Sequence, residues 1–268
     1  MRAWTLGSGS KGNAILLESD GTRVLIDAGY SPRALSQRLA GIGVHPESIA
    51  AVVVTHEHTD HVRGVSSAQR RWKWQVYGSA GTIAAIAELD VSRSTAVRSG
   101  TPFVIGALRL ELVPVPHDAS APTAVVATAV CSGFRTGVAH DLGDVPDELR
   151  TAFARLDLLL LESNHDEEML RTGPYPAFLR ARISGGSGHL SNAKSASLSR
   201  ELAGARLREM VLLHLSEVNN TPRRAVDAVR SVLRGARATC AVTAAPQHRV
   251  AGPFGDTTGG VRQLALAL

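Results

Sequence analysis

A short segment directly after the apolar run Ala50–Val54 carries three histidines and two carboxylates. It reads Thr-His-Glu-His-Thr-Asp-His from Thr55 to His61. Imidazole and carboxylate groups are the ligands that zinc and related divalent ions accept in proteins. A run of apolar residues ending in such a cluster has no economical structural explanation, so the segment predicts a metal site.

The spacing inside this segment divides its side chains between two positions. His56 and His58 stand two residues apart, so on an extended chain both face the same side and can bind one ion. Asp60 and His61 follow the turn into the next helix and are predicted to face a second ion. Glu57 alternates away from both histidines and is not predicted to be a ligand.

Other polar residues also follow strand-like runs, and strand ends gather ligands at one edge of a sheet. These residues are Asp27, His117, Asp141, Glu162, His165 and His214. We predict that Asp141 bridges two ions about 3.5 to 4 Å apart, with His117 completing the first site and His214 the second. Asp27 is expected to accept the free N–H of a ligating histidine. Taken alone, a residue such as His117 is more often structural than ligating.

Composition restricts the alternatives. The chain has 268 residues, of which 44% are hydrophobic and 20% charged, as in ordered globular proteins. The cysteines are Cys131 and Cys240, too few for a cysteine-based zinc site or a disulfide framework. No long apolar span or leader is evident, so a cytoplasmic location without membrane contact is expected. The net charge of +5 and the isoelectric point near 9.8 favour a polyanionic partner.

The surrounding segments alternate between strand and helix signals. Ala14–Glu18 and Thr22–Ile26 predict a hairpin, and Ser31 with Pro32 predicts the start of a helix. Further helices are predicted over residues 62–71, 82–89, 166–171, 176–183, 193–202 and 222–233, and further strands over 50–54, 75–77, 108–115, 124–131, 133–139, 156–161, 210–213 and 236–244. We expect a layered α/β sandwich with its sheets inside, formed as one domain by residues 1–250, and a flexible glycine-rich tail over residues 251–268.

The pattern His-x-His-x-Asp-His after a strand, with Asp27, His117, Asp141 and His214 in order, resembles the signature of the metallo-β-lactamase superfamily. This resemblance implies a four-layer αββα sandwich. It also implies that these residues bind two divalent metal ions, commonly zinc or manganese, with a bridging hydroxide as the nucleophile. The absence of a cysteine ligand disfavours the antibiotic-hydrolysing branch.

Five further motifs resemble the YycJ/WalJ-like group, whose members are described as DNA exonucleases acting 5′ to 3′. These motifs are Gly7–Asn13, Pro116–Ala119, Leu161–Asp166, Gly188–Asn192 and His214–Asn220. A broader likeness to the tRNA 3′-processing ribonuclease Z group implies that His189 lies near the scissile phosphate. The implied reaction is phosphodiester hydrolysis by a dinuclear metal site, with DNA favoured over RNA as the substrate.

Several residues are expected to act on the substrate. Asp60 is assigned to the catalytic centre, and His189 and His165 are candidates to donate a proton or hydrogen bond to the phosphate or the leaving oxygen. Ser10, Asn13 and Asn192 are candidates for holding a phosphate or the ligating side chains, although simple loop packing is the alternative.

Two other functions stay open at this stage: a small-molecule hydrolase such as a thioesterase or lactonase, and a metal-stabilised binding or regulatory protein without catalysis. The metal's identity, the polarity of cleavage and the oligomeric state are left open by the sequence.

Overall fold

The computed structural model describes residues 1–236 and 239–256. The strands are β1 (Arg2–Gly7), β2 (Ala14–Ser19), β3 (Thr22–Ile26), β4 (Ala51–Val54), β5 (Gln75–Gly78), β6 (Ser94–Ala96), β7 (Phe103–Ile105), β8 (Leu108–Pro114), β9 (Thr123–Ala129), β10 (Arg135–Ala139), β11 (Leu158–Glu162), β12 (Glu209–Leu213), β13 (Ala241–Ala244) and β14 (Ala251–Gly255). The helices are α1 (Pro32–Ala40), α2 (Thr59–Val62), α3 (Val65–Trp72), α4 (Ala80–Ala85), α5 (Asp147–Ala152), α6 (Glu167–Thr172), α7 (Ala177–Ser184), α8 (Asn192–Leu202) and α9 (Pro222–Gly235).

The strands form two mixed sheets of seven strands each. The first has the order β14-β1-β2-β3-β4-β5-β6, and the second has the order β13-β12-β11-β10-β9-β8-β7. Strands β3, β4 and β5 are parallel neighbours in the first sheet, and β10, β11 and β12 are parallel neighbours in the second. Since parallel strands end at the same edge, each sheet presents a row of strand ends.

Alternating side chains divide the core into three layers. Leu158 and Leu160 of β11 pack between the sheets together with residues of β2 and β3. Their neighbours Leu159 and Leu161 point the other way, against the helices α5, α8 and α9. Residues of α1 and α3 cover the outer face of the first sheet. The period of two along each strand therefore gives helix, sheet, sheet and helix, which confirms the predicted αββα sandwich.

Local signals placed several helices correctly. The Ser31 side chain accepts a hydrogen bond from the backbone N–H of Ala34, and α1 begins with Pro32 as predicted. The predicted helix over residues 62–71 corresponds to α3, which begins at Val65. The separate helix α2 ends at Val62, because the chain turns at Gly64 between the two helices. The backbone of Gly64 lies so close to the carbonyl of Tyr30 that a side chain would not fit.

The predicted flexible tail is wrong over its first residues. Ala251–Gly255 form β14, which pairs antiparallel with β1 at the edge of the first sheet. Phe254 packs against the core between the sheets, and the backbone N–H of Gly255 donates to Glu209 Oε2 at 2.8 Å. The rest of the predicted tail, residues 257–268, lies outside the described residues.

Within residues 1–236 and 239–256, no helix combines the length and the apolar character needed to cross a bilayer.

Candidate metal centre

Apart from His165, the polar residues predicted to converge do so at the edge where the two sheets meet. Asp27 follows β3, His56 follows β4, Asp141 follows β10 and His214 follows β12. Because these strands are parallel to their neighbours, their carboxyl ends lie side by side. The expectation from strand ends alone is therefore met for these four residues.

The first group of ligating atoms comprises His56, His58 and His117, whose ring nitrogens lie within 4.8 Å of one another. His117 Nδ1 lies 3.0 Å from the carbonyl oxygen of Gly188. That contact makes Nδ1 the donor and directs Nε2 toward His58, whose Nδ1 is 3.2 Å away. Three imidazoles thus face one point, as predicted for His56 and His58 from their spacing and for His117 from its position after a strand.

The second group comprises Asp60, His61, Asp141 and His214, again with one atom from each within 4.8 Å of the others. Asp60 Oδ2 lies 3.4 Å from both His61 Nε2 and His214 Nε2. Asp141 Oδ2 lies 2.5 Å from His61 Nε2. Two carboxylates and two imidazoles therefore surround a second point, beside the first.

Asp141 lies between the two groups. Its Oδ2 is 3.6 Å from His56 Nε2 in the first group, and its Oδ1 is 3.0 Å from His214 Nδ1 in the second. The two oxygens of Asp141 and His56 Nε2 are buried and make no hydrogen bond of acceptable geometry. Buried polar atoms without hydrogen bonds are rare and costly. Divalent cations fit this donor set, because they would satisfy those atoms.

The electrostatics of the centre fit the binding of cations. Burial alone would lower the pKa of His61, but the carboxylates of Asp141 and Asp27 raise it well above its usual range. Asp141 likewise raises the pKa of His214 to about 9 against the effect of burial. Burial and the neighbouring His61 lower the pKa of His56, so its ring is neutral. A metal ion binding here must displace the protons of His61 and His214.

Asp27 contacts His61 of the second group on the side of the ring away from Asp60 and Asp141. Its side chain is fully buried, and Oδ2 lies 2.7 Å from His61 Nδ1. The backbone N–H and the hydroxyl of Thr55 donate to it at 2.8 and 2.7 Å. The same Oδ2 is 2.9 Å from His140 Nε2. His140 was not singled out in the sequence, because a single buried histidine before Asp141 carries no distinctive pattern.

Three residues of the centre have a left-handed backbone: Asp27, Asp141 and His214 have φ angles of 62°, 55° and 52°. This region is uncommon for residues other than glycine, although aspartate and histidine enter it more readily than most. Each of these residues comes just after a strand, so the left-handed turn ends the strand and redirects the side chain. Such backbone conformations cluster at functional sites, where the surrounding structure holds them.

The loop between β1 and β2 is fixed to the centre by hydrogen bonds. Asn13 Nδ2 lies 3.2 Å from Asp60 Oδ2 and 3.0 Å from His61 Nε2. The backbone N–H of Asn13 donates to the carbonyl of Asp60 at 2.8 Å. Gly29 permits this approach, because a Cβ there would overlap the Asp60 carbonyl oxygen. Asn13 therefore contacts the predicted ligands, while Ser10 lies on the rim of the cavity above them.

Glu162 is among the strand-end residues but has no role assigned from the sequence, and the structure places it buried among the histidines. Its Oε1 lies 2.8 Å from His189 Nδ1 and 3.3 Å from His214 Nδ1. Its Oε2 accepts the backbone N–H groups of Leu142 and Leu190. Burial raises the pKa of Glu162, but His189 outweighs this effect and holds it at about 2. The sequence indicated Glu162 only through its position at the end of the strand that becomes β11.

Two predicted substrate contacts do not agree with the structure. His165 is 2% exposed and borders a separate cavity between α6 and α7, and it does not line the cavity above the metal-ligand groups. Asn192 bonds within a buried network, accepting from the Ser163 hydroxyl at 2.7 Å and exchanging hydrogen bonds with Asn220. Neither residue lines the cavity above the metal-ligand groups, because both side chains are buried inside the protein.

A cavity of about 320 Å³ opens above the two groups. His58, Asp60, His117, Asp141 and His214 line its floor, and His189 stands beside them. Glu57 takes no part, because its Oε1 accepts both the backbone N–H and the hydroxyl of Ser120 at 2.7 Å. The site is thus an open pocket with a floor of potential metal ligands.

The sequence profile of the Beta-lactamase superfamily domain matches residues 22–215. The chain belongs to the beta-lactamase superfamily. Within the superfamily, it is 34% identical over 221 residues to Exodeoxyribonuclease WalJ of Streptococcus pneumoniae, covering 80% of this chain and 81% of WalJ. It is 29% identical over 232 residues to Exodeoxyribonuclease YycJ of Bacillus anthracis, covering 85% of this chain and 87% of YycJ.

A solved structure shows the same superfamily fold. The metallo-beta-lactamase fold protein YhfI from Bacillus subtilis superposes with a TM-score of 0.71 at 18% identity, covering 93% of this chain and 98% of YhfI. These similarities confirm the relationship inferred from the histidine motif and the five accompanying motifs. The individual ligand roles stay predictions.

Proposed function

We propose that this protein is a dinuclear metal-dependent DNA exonuclease that hydrolyses phosphodiester bonds in the 5′ to 3′ direction. The observation that carries the proposal is the convergence of two groups of ligating atoms on Asp141 at the floor of an open cavity. The similarity along most of the chain to two proteins named exodeoxyribonucleases supports DNA as the substrate.

The chain's own residues would hold two divalent ions, zinc or manganese, at these two points. His56, His58 and His117 supply the first set of ligands and Asp60, His61 and His214 the second, with Asp141 between them. Two such ions offset the negative charge of a phosphodiester and make a water molecule nucleophilic at neutral pH. Cysteine ligands are absent from both groups.

We assign to His189 the role of assisting the leaving group. Its Nδ1 lies 2.8 Å from Glu162 Oε1 and 3.0 Å from Asp141 Oδ1. Burial would lower the pKa of His189, but these carboxylates raise it well above its usual range. While the ring is protonated, its Nε2 can donate to a phosphate or departing oxygen. Loss of such a donor typically costs about 10²- to 10⁴-fold in rate.

The proposal is tested with duplex and single-stranded DNA labelled at either the 5′ or the 3′ end, with Mn²⁺ or Zn²⁺ added. We expect nucleotides to be released from the 5′ end and the His58→Ala variant to lose at least about 10²-fold in rate. His45→Ala is the matched control, because His45 is exposed and lies outside the site. A His58→Ala protein with full activity would contradict the proposal.

A small-molecule hydrolase is the competing function on the same fold. Turnover of a panel of thioesters and lactones, with none on nucleic acid, would favour it over the nuclease. Full metal loading without turnover of either class would favour a binding protein.

A further inference from the structure

One wall of the cavity, formed by α7 and the residues just before it, carries three apolar side chains beside Arg182. Tyr175 precedes α7, and Leu179 and Ile183 lie on α7. All three line the cavity and are half-buried. Leu179 and Ile183 are four residues apart, so they share one face of the helix. Tyr175 lies two residues before the first residue of the helix and lines the same cavity.

This group of three side chains has no evident role in folding. Among the described residues, none of the three packs into the core between the sheets or into the two cores beneath the outer helices. Helix α7 has no buried residue at all. An apolar face that lies outside the hydrophobic cores and lines a cavity is typical of a ligand-binding site.

The position of the wall is set by two attachments. Arg182 donates to Asp118 Oδ2 from Nε at 2.7 Å, and its Nη2 lies 2.6 Å from the same oxygen. Asp118 directly follows His117 of the first ligand group. At the same, C-terminal end of α7, the backbone N–H of His189 donates to the carbonyl of Ile183 at 2.8 Å. The C-terminal end of α7 is therefore attached to the segments that carry His117 and His189.

We propose that Tyr175, Leu179 and Ile183 form a nucleobase subsite. A nucleotide has an anionic phosphate at one end and a flat apolar ring system at the other. The cation-binding floor suits the phosphate, and the apolar wall with its one aromatic ring suits the base. A cavity of about 320 Å³ accommodates a small molecule, so it admits a single terminal nucleotide. This inference rests on the proposed nuclease function and specifies what the enzyme recognises at the attacked end.

The test compares two oligonucleotides that differ only in the terminal nucleotide at the attacked end. One carries a normal base there, and the other carries an abasic tetrahydrofuran nucleotide. Stacking of a base on an aromatic ring contributes enough for roughly a tenfold effect or more. We therefore expect kcat/KM for release of the first nucleotide to be at least about tenfold higher with the base present.

Variants locate the preference on the wall. Tyr175→Ala and Leu179→Ala should bring the ratio of the two kcat/KM values close to one, whereas Tyr175→Phe retains the ring and the preference. Phe178→Ala is the matched control, because Phe178 is on the same helix, is 76% exposed and does not line the cavity. The ratio is internal to each protein, so partial loss of folded protein does not change it.

Equal hydrolysis of both oligonucleotides by the unmodified protein would overturn the subsite while leaving the nuclease function intact. An unchanged preference in both alanine variants would also overturn it. Failure to degrade either oligonucleotide would contradict the nuclease function itself, and the subsite with it.

Discussion

Asp27 supports the metal centre without facing the cavity. Its carboxylate contacts His61 Nδ1 and His140 Nε2 and accepts two hydrogen bonds from Thr55. A carboxylate in this position fixes the ring orientation of a ligating histidine and raises its basicity. Burial raises the pKa of Asp27, but the charge of His61 outweighs burial and holds it well below its usual range.

Replacing Asp27 by asparagine should weaken metal binding about 10- to 100-fold. Asparagine keeps the size of the side chain and tolerates the left-handed backbone at this position, so the expected loss comes from the missing charge. The affinity for Zn²⁺ or Mn²⁺ is measured by calorimetric titration. Asp20→Asn is the control, since Asp20 is also left-handed but exposed. Unchanged affinity in Asp27→Asn would show that Asp27 does not orient a ligand.

At the residue scale, the sequence was most informative where ligands cluster. The spacing of His56, His58 and His61 predicted which rings face together. It did not predict His140 and gave Glu162 no specific role, because their directions depend on the packing of β10 and β11 against neighbouring strands. His165 had the same signal as His214, a polar residue near a strand end, and yet it points away. A position at a strand end predicts that a residue lies at the edge of the sheet, but it does not predict where the side chain points.

At the scale of elements, Glu18 joins the first three strands. It lies on β2, and its carboxylate pairs with Arg2 of β1 and with Arg23 of β3 at 2.6 Å. Burial raises the pKa of Glu18, but the hydrogen bonds of Arg23 and Arg2 lower it below its ordinary value of 4.5. A lowered pKa in the folded state means that the ionised group stabilises the fold above pH 4.5.

The Glu18→Gln variant should therefore be less stable than the unmodified protein at neutral pH. The difference in free energy of unfolding should shrink as the pH falls below 4.5 and through the folded-state pKa. Urea unfolding at several pH values measures it. Glu88→Gln serves as the comparison, because the Glu88–Arg70 pair is exposed and should contribute little at any pH. A difference in free energy of unfolding that grows as the pH falls would contradict this explanation.

Strand β14 should contribute to stability although its sequence is rich in glycine. Removing residues 251–268 exposes the edge of β1 and the core around Phe254, which corresponds to roughly 2 kcal/mol for an apolar side chain. We expect the Tm to fall by roughly 4–8 °C. Removing residues 257–268 alone is the control and retains β14. Equal Tm values for the two truncated proteins would contradict the pairing.

Short-range signals explain which elements were predicted. The Ser31–Pro32 start of α1 depends on neighbouring residues, and the structure agrees with it. The division of α2 from α3 depends on the close approach of Gly64 to Tyr30, which lies far away in the sequence. Strand β14 was missed because its pairing with β1 joins the two ends of the described chain.

At the scale of the whole molecule, the two sheets come almost entirely from successive parts of the chain. Strands β1 to β6 form the first sheet with β14, and β7 to β13 form the second. The order of strands and helices was sufficient to predict a layered sandwich. The meeting of the two rows of strand ends was not visible in either half alone, because it requires the sheets to pack face to face. The cavity and its apolar wall arise only at this scale.

The central claim is that the edge shared by the two sheets holds two ions, one on each side of Asp141. Anomalous X-ray scattering at the absorption edge of the bound metal, from crystals of the metal-loaded protein, measures this directly. The account predicts one peak among His56, His58 and His117 and a second among Asp60, His61 and His214. A single peak, or peaks at other positions such as the Asp27–His61–His140 group, would contradict it.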